Sequence, residues 1–152
     1  MLRFPKVFAH FNHTDSLLAR QIESHYLSIC PNKPHLIDGA IQLLEFLKMK
    51  PYPLHILTNG FLDTQHKKIA ASNILHYFNF IVTSESSSFS KPDNRSYFHL
   101  LDQINHEPEE CIMVGDNLIS DIAGSSAIGT KNIYFNPEKL AIKVTKPLKF
   151  LI

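Results

Sequence analysis

The sequence predicts an α/β fold, a parallel β-sheet with helices on both faces. Three observations predict it. Four short apolar runs, at 54–58, 80–83, 111–114 and 132–135, have the length and composition of strands. Amphipathic stretches of helical period separate them. Polar residues suited to chemistry, Thr58, Asn59, Ser84, Glu85, Asp116 and Asn117, follow the strand ends, and open parallel sheets bind ligands there.

Each element has its own local reason. Thr14 or Asp15 can cap a first helix whose apolar face is Leu18, Ile22, Tyr26 and Ile29. Pro31 and Pro34 end it. A second helix, from near Asp38 to about Lys48, is expected to bury Ala40, Leu43, Leu44 and Leu47, and Pro51 and Pro53 close it. The strand at 54–58 runs into Asn59-Gly60, and a helical stretch follows over 62–73. The strand at 80–83 leads to the serine cluster 84–90, which is too short for a disordered linker. Asp93 or Asn94 caps the next helix, with Tyr97, Leu101 and Ile104 on one face. The strand at 111–114 ends in Gly115-Asp116. A helix near 119–127 stops at Gly129, a C-terminal glycine, and the last strand follows at 132–135.

Bulk properties narrow the function. The chain has 152 residues, enough for one real core. With 44% hydrophobic and 19% charged residues it reads as an ordinary globular domain. Its 15 Lys and Arg against 14 Asp and Glu leave a net charge of +1. That balance gives no electrostatic argument for nucleic acid or for an anionic membrane surface. No apolar run approaches the roughly 20 residues that span a bilayer, and Met1 to His10 does not read as a secretion signal. Cys30 and Cys111 lack the spacing of a disulfide scaffold or zinc knuckle. A cytoplasmic location is therefore expected. Asn12-His13-Thr14 and Asn94-Arg95-Ser96 match the glycosylation pattern by chance on this reading.

Three elements carry chemistry. Thr58-Asn59-Gly60 offers a hydroxyl and backbone N–H groups at a strand-to-helix turn, a setting that can hold an anionic oxygen; it is also common turn chemistry. Lys91-Pro92-Asp93 sets a cation at the mouth of a helix, where it can neutralise phosphate and a neighbouring carboxylate; most lysines are only solvated. Gly115-Asp116-Asn117-Leu118-Ile119-Ser120-Asp121 sets Asp116 at a strand end and Asp121 in the first turn of the next helix. Two such carboxylates can meet a hard cation such as Mg²⁺; alternatively, Asp121 only complements the helix dipole. Together the three are stronger. Their order, Thr, Lys, Asp–Asp, differs from that of a response-regulator receiver, where acidic residues come first and Lys last. No GxxxxGK[ST] loop and no GxGxxG fingerprint occurs.

At these residues the sequence resembles the haloacid dehalogenase (HAD) superfamily. Residues 54–61 resemble its second motif, Ser90-Lys91-Pro92-Asp93 its third, and the run from Cys111 through Asp116, Asp121 and Gly124 to Gly129 its fourth. The resemblance covers residues 36–137. It implies a Rossmann-like α/β core and a Mg²⁺-dependent phosphomonoesterase. Thr58, Asn59 and Gly60 would bind the phosphoryl group. Lys91 would steady the nucleophile and the phosphate charge. Asp116 would ligate Mg²⁺ directly, Asp121 would support that site, and Asn117 would add a polar contact in the pocket. Residues 1–34 resemble the remnant of an inserted helical cap, and 35–152 the core.

One departure stands out. The family's first motif, Asp-x-Asp-x-Thr/Val after an apolar strand, supplies the nucleophile and the general acid/base. Asp15 and Asp38 are the only aspartates before Thr58, and neither fits. The expectation is a core lacking its central first strand, inactive by itself, poorly stable, and prone to self-association through unpaired sheet edges. Within the superfamily the chain looks most like nucleotidases acting on pyrimidine nucleoside 5′-monophosphates, on the stretches 26–29, Thr83-Ser84-Glu85, 115–124 and Phe135-Asn136-Pro137. The alternatives are a haloacid dehalogenase, which needs no divalent metal, and a non-catalytic protein that kept the fold. Nine scattered histidines show no ligand spacing. Phe4, Phe8 and Phe11 are expected to pack within the cap, and Cys111 to be inert core.

Overall fold

The computed structural model describes residues 3–138, in two compact units that divide between Ser90 and Lys91. The first unit contains α1 (Arg3–His10), α2 (Ser16–Ile29), α3 (Ala40–Lys48), β1 (His55–Thr58), α4 (Leu62–Ala71), β2 (Phe80–Thr83) and the single turn α5 (Ser84–Ser87). The second contains α6 (Asn94–Ile104), β3 (Ile112–Gly115), a π-helical segment over Leu118–Ala123, α7 (Gly124–Ala127) and β4 (Lys131–Tyr134). Residues 139–152 of the expected core lie outside the described residues.

Each unit holds one parallel strand pair joined by a helical crossover, as parallel pairing requires. β1 pairs with β2 in the register His55↔Phe80 to Thr58↔Thr83. The Leu54 carbonyl accepts the Asn79 N–H at 2.8 Å and carries the pairing one step further back. β3 pairs with β4 from Ile112↔Lys131 to Gly115↔Tyr134. The α/β architecture with parallel strands and flanking helices is the one expected.

Local chemistry explains the boundaries. Asp15 caps α2 by accepting the Leu18 N–H at 2.8 Å. The cis-acting cap of α5 is a reciprocal pair: Thr83 Oγ1 accepts the Ser86 N–H at 3.2 Å, and Ser86 Oγ accepts the Thr83 N–H at 2.9 Å. The serine cluster thus opens with an ordered turn. Asp93 caps α6, held by Arg95, whose two side-chain bonds to the carboxylate are 3.0 and 2.7 Å long. With the Arg95 guanidinium and N–H beside it, the Asp93 carboxyl is pulled down to about 2. Gly129, at φ +90°, ends the α7 region in the left-handed conformation anticipated from sequence.

The core of the first unit gathers Ala19, Ile69, Tyr77 and Val82; that of the second gathers Tyr97, Leu101 and Ile122. Tyr77 hydrogen-bonds Glu45 through its hydroxyl, and Lys48 Nζ stands 5.2 Å from the ring centroid. These contacts tie α3 to the turn that precedes β2.

Several burial expectations fail. Leu43 is exposed, while Ala40, Leu44 and Leu47 are only half-buried. Leu18, Ile22, Tyr26 and Ile29 are likewise exposed, and the buried residue of α2 is Ala19. The reason is coverage. The eight-residue α1 packs on α2 and brings Phe4 to 5.6 Å from Tyr26, but is too short to cover a stripe four turns long. Phe8 meets His13, whereas Phe11 is exposed and does not pack as expected. One face of the β3–β4 pair also stays open, with Ile112, Val114 and Ile133 between 56% and 62% exposed.

Asp15→Ala removes the side-chain acceptor of the Leu18 N–H at the α2 N-terminus. It should lower stability by about 1 kcal/mol, read from urea unfolding followed by circular dichroism; an unchanged midpoint would show that the cap contributes nothing.

Candidate active site

The first group of expected site residues lies at the carboxyl end of β1. Because Thr58 and Thr83 are register partners, the turn after β1 runs beside the start of α5. Gly60 N–H donates to Thr58 Oγ1 at 3.1 Å. Ser84 Oγ donates to the Asn59 carbonyl at 3.2 Å, with a weaker approach of 3.5 Å to the Gly60 carbonyl. Glu85 Oε2 accepts the Leu62 N–H at 2.7 Å. The end of the Gln65 side chain folds back over Gly60, where a Cβ would lie 2.6 Å from Gln65 Cδ. Asn59, Gly60 and Phe61 line a cavity of about 250 Å³ together with Tyr26, Cys30 and Lys68.

The second group lies in the second unit. Lys91 Nζ donates to Asp121 Oδ1 at 2.7 Å, and both side chains are only 8% exposed. Asp121 Oδ2 accepts the Asn117 N–H at 3.0 Å, and Ser120 Oγ donates to Oδ1 at 3.2 Å. Three donors therefore surround one carboxylate. Burial works to raise the Asp121 carboxyl, but the Lys91 ammonium, the Asn117 N–H and the Ser120 hydroxyl outweigh it and hold the group below its ordinary 3.8.

The backbone around Asp121 is built for this placement. The Asn117 carbonyl accepts both the Asp121 N–H at 2.8 Å and the Ile122 N–H at 3.2 Å, which opens the turn to π geometry. Asn117 Oδ1 caps the segment by accepting the Ile119 and Ser120 N–H groups at 3.0 and 2.8 Å. Gly115 is required by contact, since a Cβ there would fall 2.5 Å from Asp121 Oδ2. Tyr97 donates its hydroxyl to the Ser120 carbonyl beneath the same turn. Burial, with the Asp121 charge nearby, pushes that hydroxyl up to about 12.

The expected residues are thus gathered as two clusters, each within its own unit. Thr58, Asn59 and Gly60 share one turn; Lys91, Asn117 and Asp121 share one hydrogen-bonded network, and Asp116 precedes Asn117 with its side chain exposed. Asn117 has a use the sequence did not reveal, because its side-chain oxygen caps the π segment. Ser84, Glu85, Ser120 and Tyr97 also acquire roles here. Glu85 had a readable signal: Phe61, at the N-cap of α4, cannot accept the orphan N–H groups, so another acceptor was needed. Among the described residues, no group of three or more His, Cys, Asp or Glu could hold a metal. The Cys111 thiol is half-buried and pushed up by burial and by Glu110, which suits an inert side chain.

A parallel α/β core with these motif turns at its strand ends defines a hydrolase family, and the chain belongs to it: the profile of the haloacid dehalogenase-like hydrolases matches residues 5–135. Among its relatives is the pyrimidine 5′-nucleotidase PynA of Streptococcus pneumoniae, 33% identical over 140 residues, which are 91% of this chain and 58% of that protein. The N-acylneuraminate-9-phosphatase of Mus musculus is 38% identical over 111 residues, 72% of this chain and 44% of that protein. The solved structure of the HAD-hydrolase YfnB from Bacillus subtilis, bound to magnesium, superimposes with a TM-score of 0.76 at 30% identity, covering 86% of this chain and 57% of that one. The chain spans about half the length of the curated relatives it matches. Among the described residues no helix is long and apolar enough to cross a membrane.

Two outcomes test the ion pair. Lys91→Ala strands the Asp121 carboxylate and should cost about 3–5 kcal/mol, whereas Lys91→Met combined with Asp121→Leu should recover most of that in urea unfolding. Equal losses in both variants would show that the pair is not coupled. The second outcome concerns pH. A carboxylate depressed on folding stabilises fully above its unfolded value of 3.8, and that contribution disappears as pH falls through the folded value. The stability gap between the native chain and Asp121→Asn should therefore shrink from about pH 5 to about pH 3; a constant gap would remove the assignment.

Proposed function

We propose that this chain forms the greater part of a Mg²⁺-dependent phosphomonoesterase whose substrates are pyrimidine nucleoside 5′-monophosphates. Residues 1–34 would be cap and 35–152 core. One observation carries the reading: a lysine and an aspartate buried as an ion pair at the turn after β3, one turn on from Asp116. Burying such a pair costs several kcal/mol per ion before the mutual attraction returns it, and apolar residues would stabilise the fold as well. Its presence at a strand end, in a member of this family, points to chemistry that needs a fixed cation and fixed carboxylates.

The donor set suits a hard cation. Asp116 and Asp121 offer oxygen only, and Mg²⁺ keeps several waters while using one or two carboxylates. Asp116, exposed at the strand end, would be the direct ligand. Asp121, already surrounded by three donors, would act through water. When bound, the ion neutralises charge on the phosphoryl oxygens. Thr58 Oγ1 already accepts the Gly60 N–H, which leaves its own proton to donate to a phosphoryl oxygen. Lys91, held by Asp121, would offset the phosphate charge. The nucleotide preference rests on PynA, the first of the relatives named above; N-acylneuraminate 9-phosphate is the competing chemistry.

Turnover needs an Asp-x-Asp-x-Thr/Val motif, which residues 1–152 do not contain. The assay therefore joins the chain to a strand bearing that motif and follows phosphate release from uridine and cytidine monophosphates. The joined protein should hydrolyse them only with Mg²⁺, EDTA should stop it, and Asp116→Asn should lower kcat by about a hundredfold or more. No phosphate release would remove the phosphatase reading. Activity on haloalkanoates that persists in EDTA would make it a dehalogenase.

A further inference from the structure

The turn after β1 owes its shape to two residues from the start of α5. We propose that Ser84 and Glu85 are positioning residues for an anion site at Thr58-Asn59-Gly60, fixing the direction in which the Thr58 hydroxyl donates. The inference rests on the phosphomonoesterase reading of Thr58 and adds residues to it.

The argument follows one peptide unit. The Asn59–Gly60 peptide has a carbonyl at one end and an N–H at the other. Ser84 Oγ donates to that carbonyl at 3.2 Å, and the N–H donates to Thr58 Oγ1 at 3.1 Å. Both ends of a planar group are therefore held, and a planar group held at both ends cannot rotate. The N–H takes a lone pair of the Thr58 oxygen, so the hydroxyl proton is directed elsewhere, to whatever acceptor the turn faces. Ser84 acts on Thr58 through this peptide, without touching a ligand.

Glu85 fixes the other end of the turn. Phe61 supplies no cap to α4, so the first N–H groups of that ten-residue helix lack a local acceptor. The Glu85 carboxylate takes the Leu62 N–H at 2.7 Å, a charge-assisted bond across 23 residues. It also sets a negative charge at the positive end of α4. With the Leu62 N–H taken by Glu85 and the Gly60 N–H by Thr58 Oγ1, a second anion meets the turn at the Thr58 hydroxyl. Ser84 and Glu85 are placed in turn by Thr83, which is fully buried, paired with Thr58 and locked to Ser86.

Stability alone does not explain the pair. Glu85 is exposed and Ser84 half-buried, so each bond adds little to folding. Orientation is a different matter, because a small misplacement of a binding group can cost far more than the bond that positioned it.

The test is titration of the ¹⁵N-labelled 152-residue chain with inorganic phosphate, read at the Asn59 and Gly60 amides, with thermal unfolding measured alongside. The native chain should show saturable shifts at both amides. Ser84→Ala should weaken phosphate affinity about fivefold to tenfold against the native chain, and Glu85→Ala should do so against Glu85→Gln, which removes the same charge but keeps an acceptor, with the unfolding midpoint nearly unchanged. Ser84→Thr, which keeps the hydroxyl, should restore the affinity lost in Ser84→Ala. If both alanine variants bind phosphate as the native chain does, while Thr58→Val loses binding, the positioning role is wrong and the phosphate reading stands. A loss matched by a lowered midpoint and not restored by Ser84→Thr would make the contact merely structural and overturn the proposal. If phosphate moves neither amide of the native chain, the phosphate reading of this turn fails and the inference goes with it.

Discussion

Lys91 and Asp121 form an ion pair removed from water, and much of the second unit is arranged to make that tolerable. Removing either charge from solvent is costly, and the attraction between them offsets the cost only when the remaining lone pairs are also satisfied. Asp121 has both oxygens engaged, by Lys91, by the Asn117 N–H and by the Ser120 hydroxyl. The π geometry of Leu118–Ala123 lets Asn117 serve Asp121 and Ile122 at once. Gly115 leaves room for the carboxylate, and Tyr97 holds the Ser120 carbonyl from below. Each of these features has a weak rationale in isolation. Together they satisfy one buried charge.

The first unit solves a related problem with neutral groups. Its turn after β1 carries no buried charge, so the requirement is direction. A serine holds a carbonyl, that peptide's N–H holds a threonine oxygen, and a glutamate closes the helix start. The two turns share a plan. In both, a side chain is oriented by a backbone N–H of its own turn, Thr58 by that of Gly60 two residues on and Asp121 by that of Asn117 four residues back. The second turn also needs a glycine, because a Cβ at Gly115 would meet Cβ of Asp121, whereas at Gly60 it would meet only the movable end of the Gln65 side chain.

This plan explains what the sequence made legible. Strands β1 and β2, the α6 cap at Asp93 and the glycine stop at 129 depend on neighbours within a few residues, and so could be read from one chain. The same holds for Thr58, Lys91 and the Asp116–Asp121 segment, whose residue types and spacing encode the local turn. Burial was not legible in the same way. Leu43 and the stripe Leu18, Ile22, Tyr26 and Ile29 have helical spacing, but spacing says which side is apolar and not what covers it. The π segment was missed because one shifted hydrogen bond leaves no mark on hydrophobic period. Glu85 could be singled out at its strand end, but not its partner, because the Leu62 N–H lies 23 residues away.

The same distinction bears on the family's chemistry. Positions fixed by short-range geometry can persist while packing around them varies, since they need only a strand end, a glycine and one or two donors. The relatives named above include a nucleotidase and a sugar-acid phosphatase, whose leaving groups differ widely. In this chain Phe4, Glu23, Tyr26, Phe61 and Lys68 are among the residues that line a cavity with Asn59 and Gly60 of the first turn. Phe4, Tyr26 and Phe61 give that cavity aromatic surface, while Glu23 and Lys68 bring charges of opposite sign to it, so its lining offers stacking area without fixing a net charge, and it is these surroundings rather than the turn that packing is free to vary.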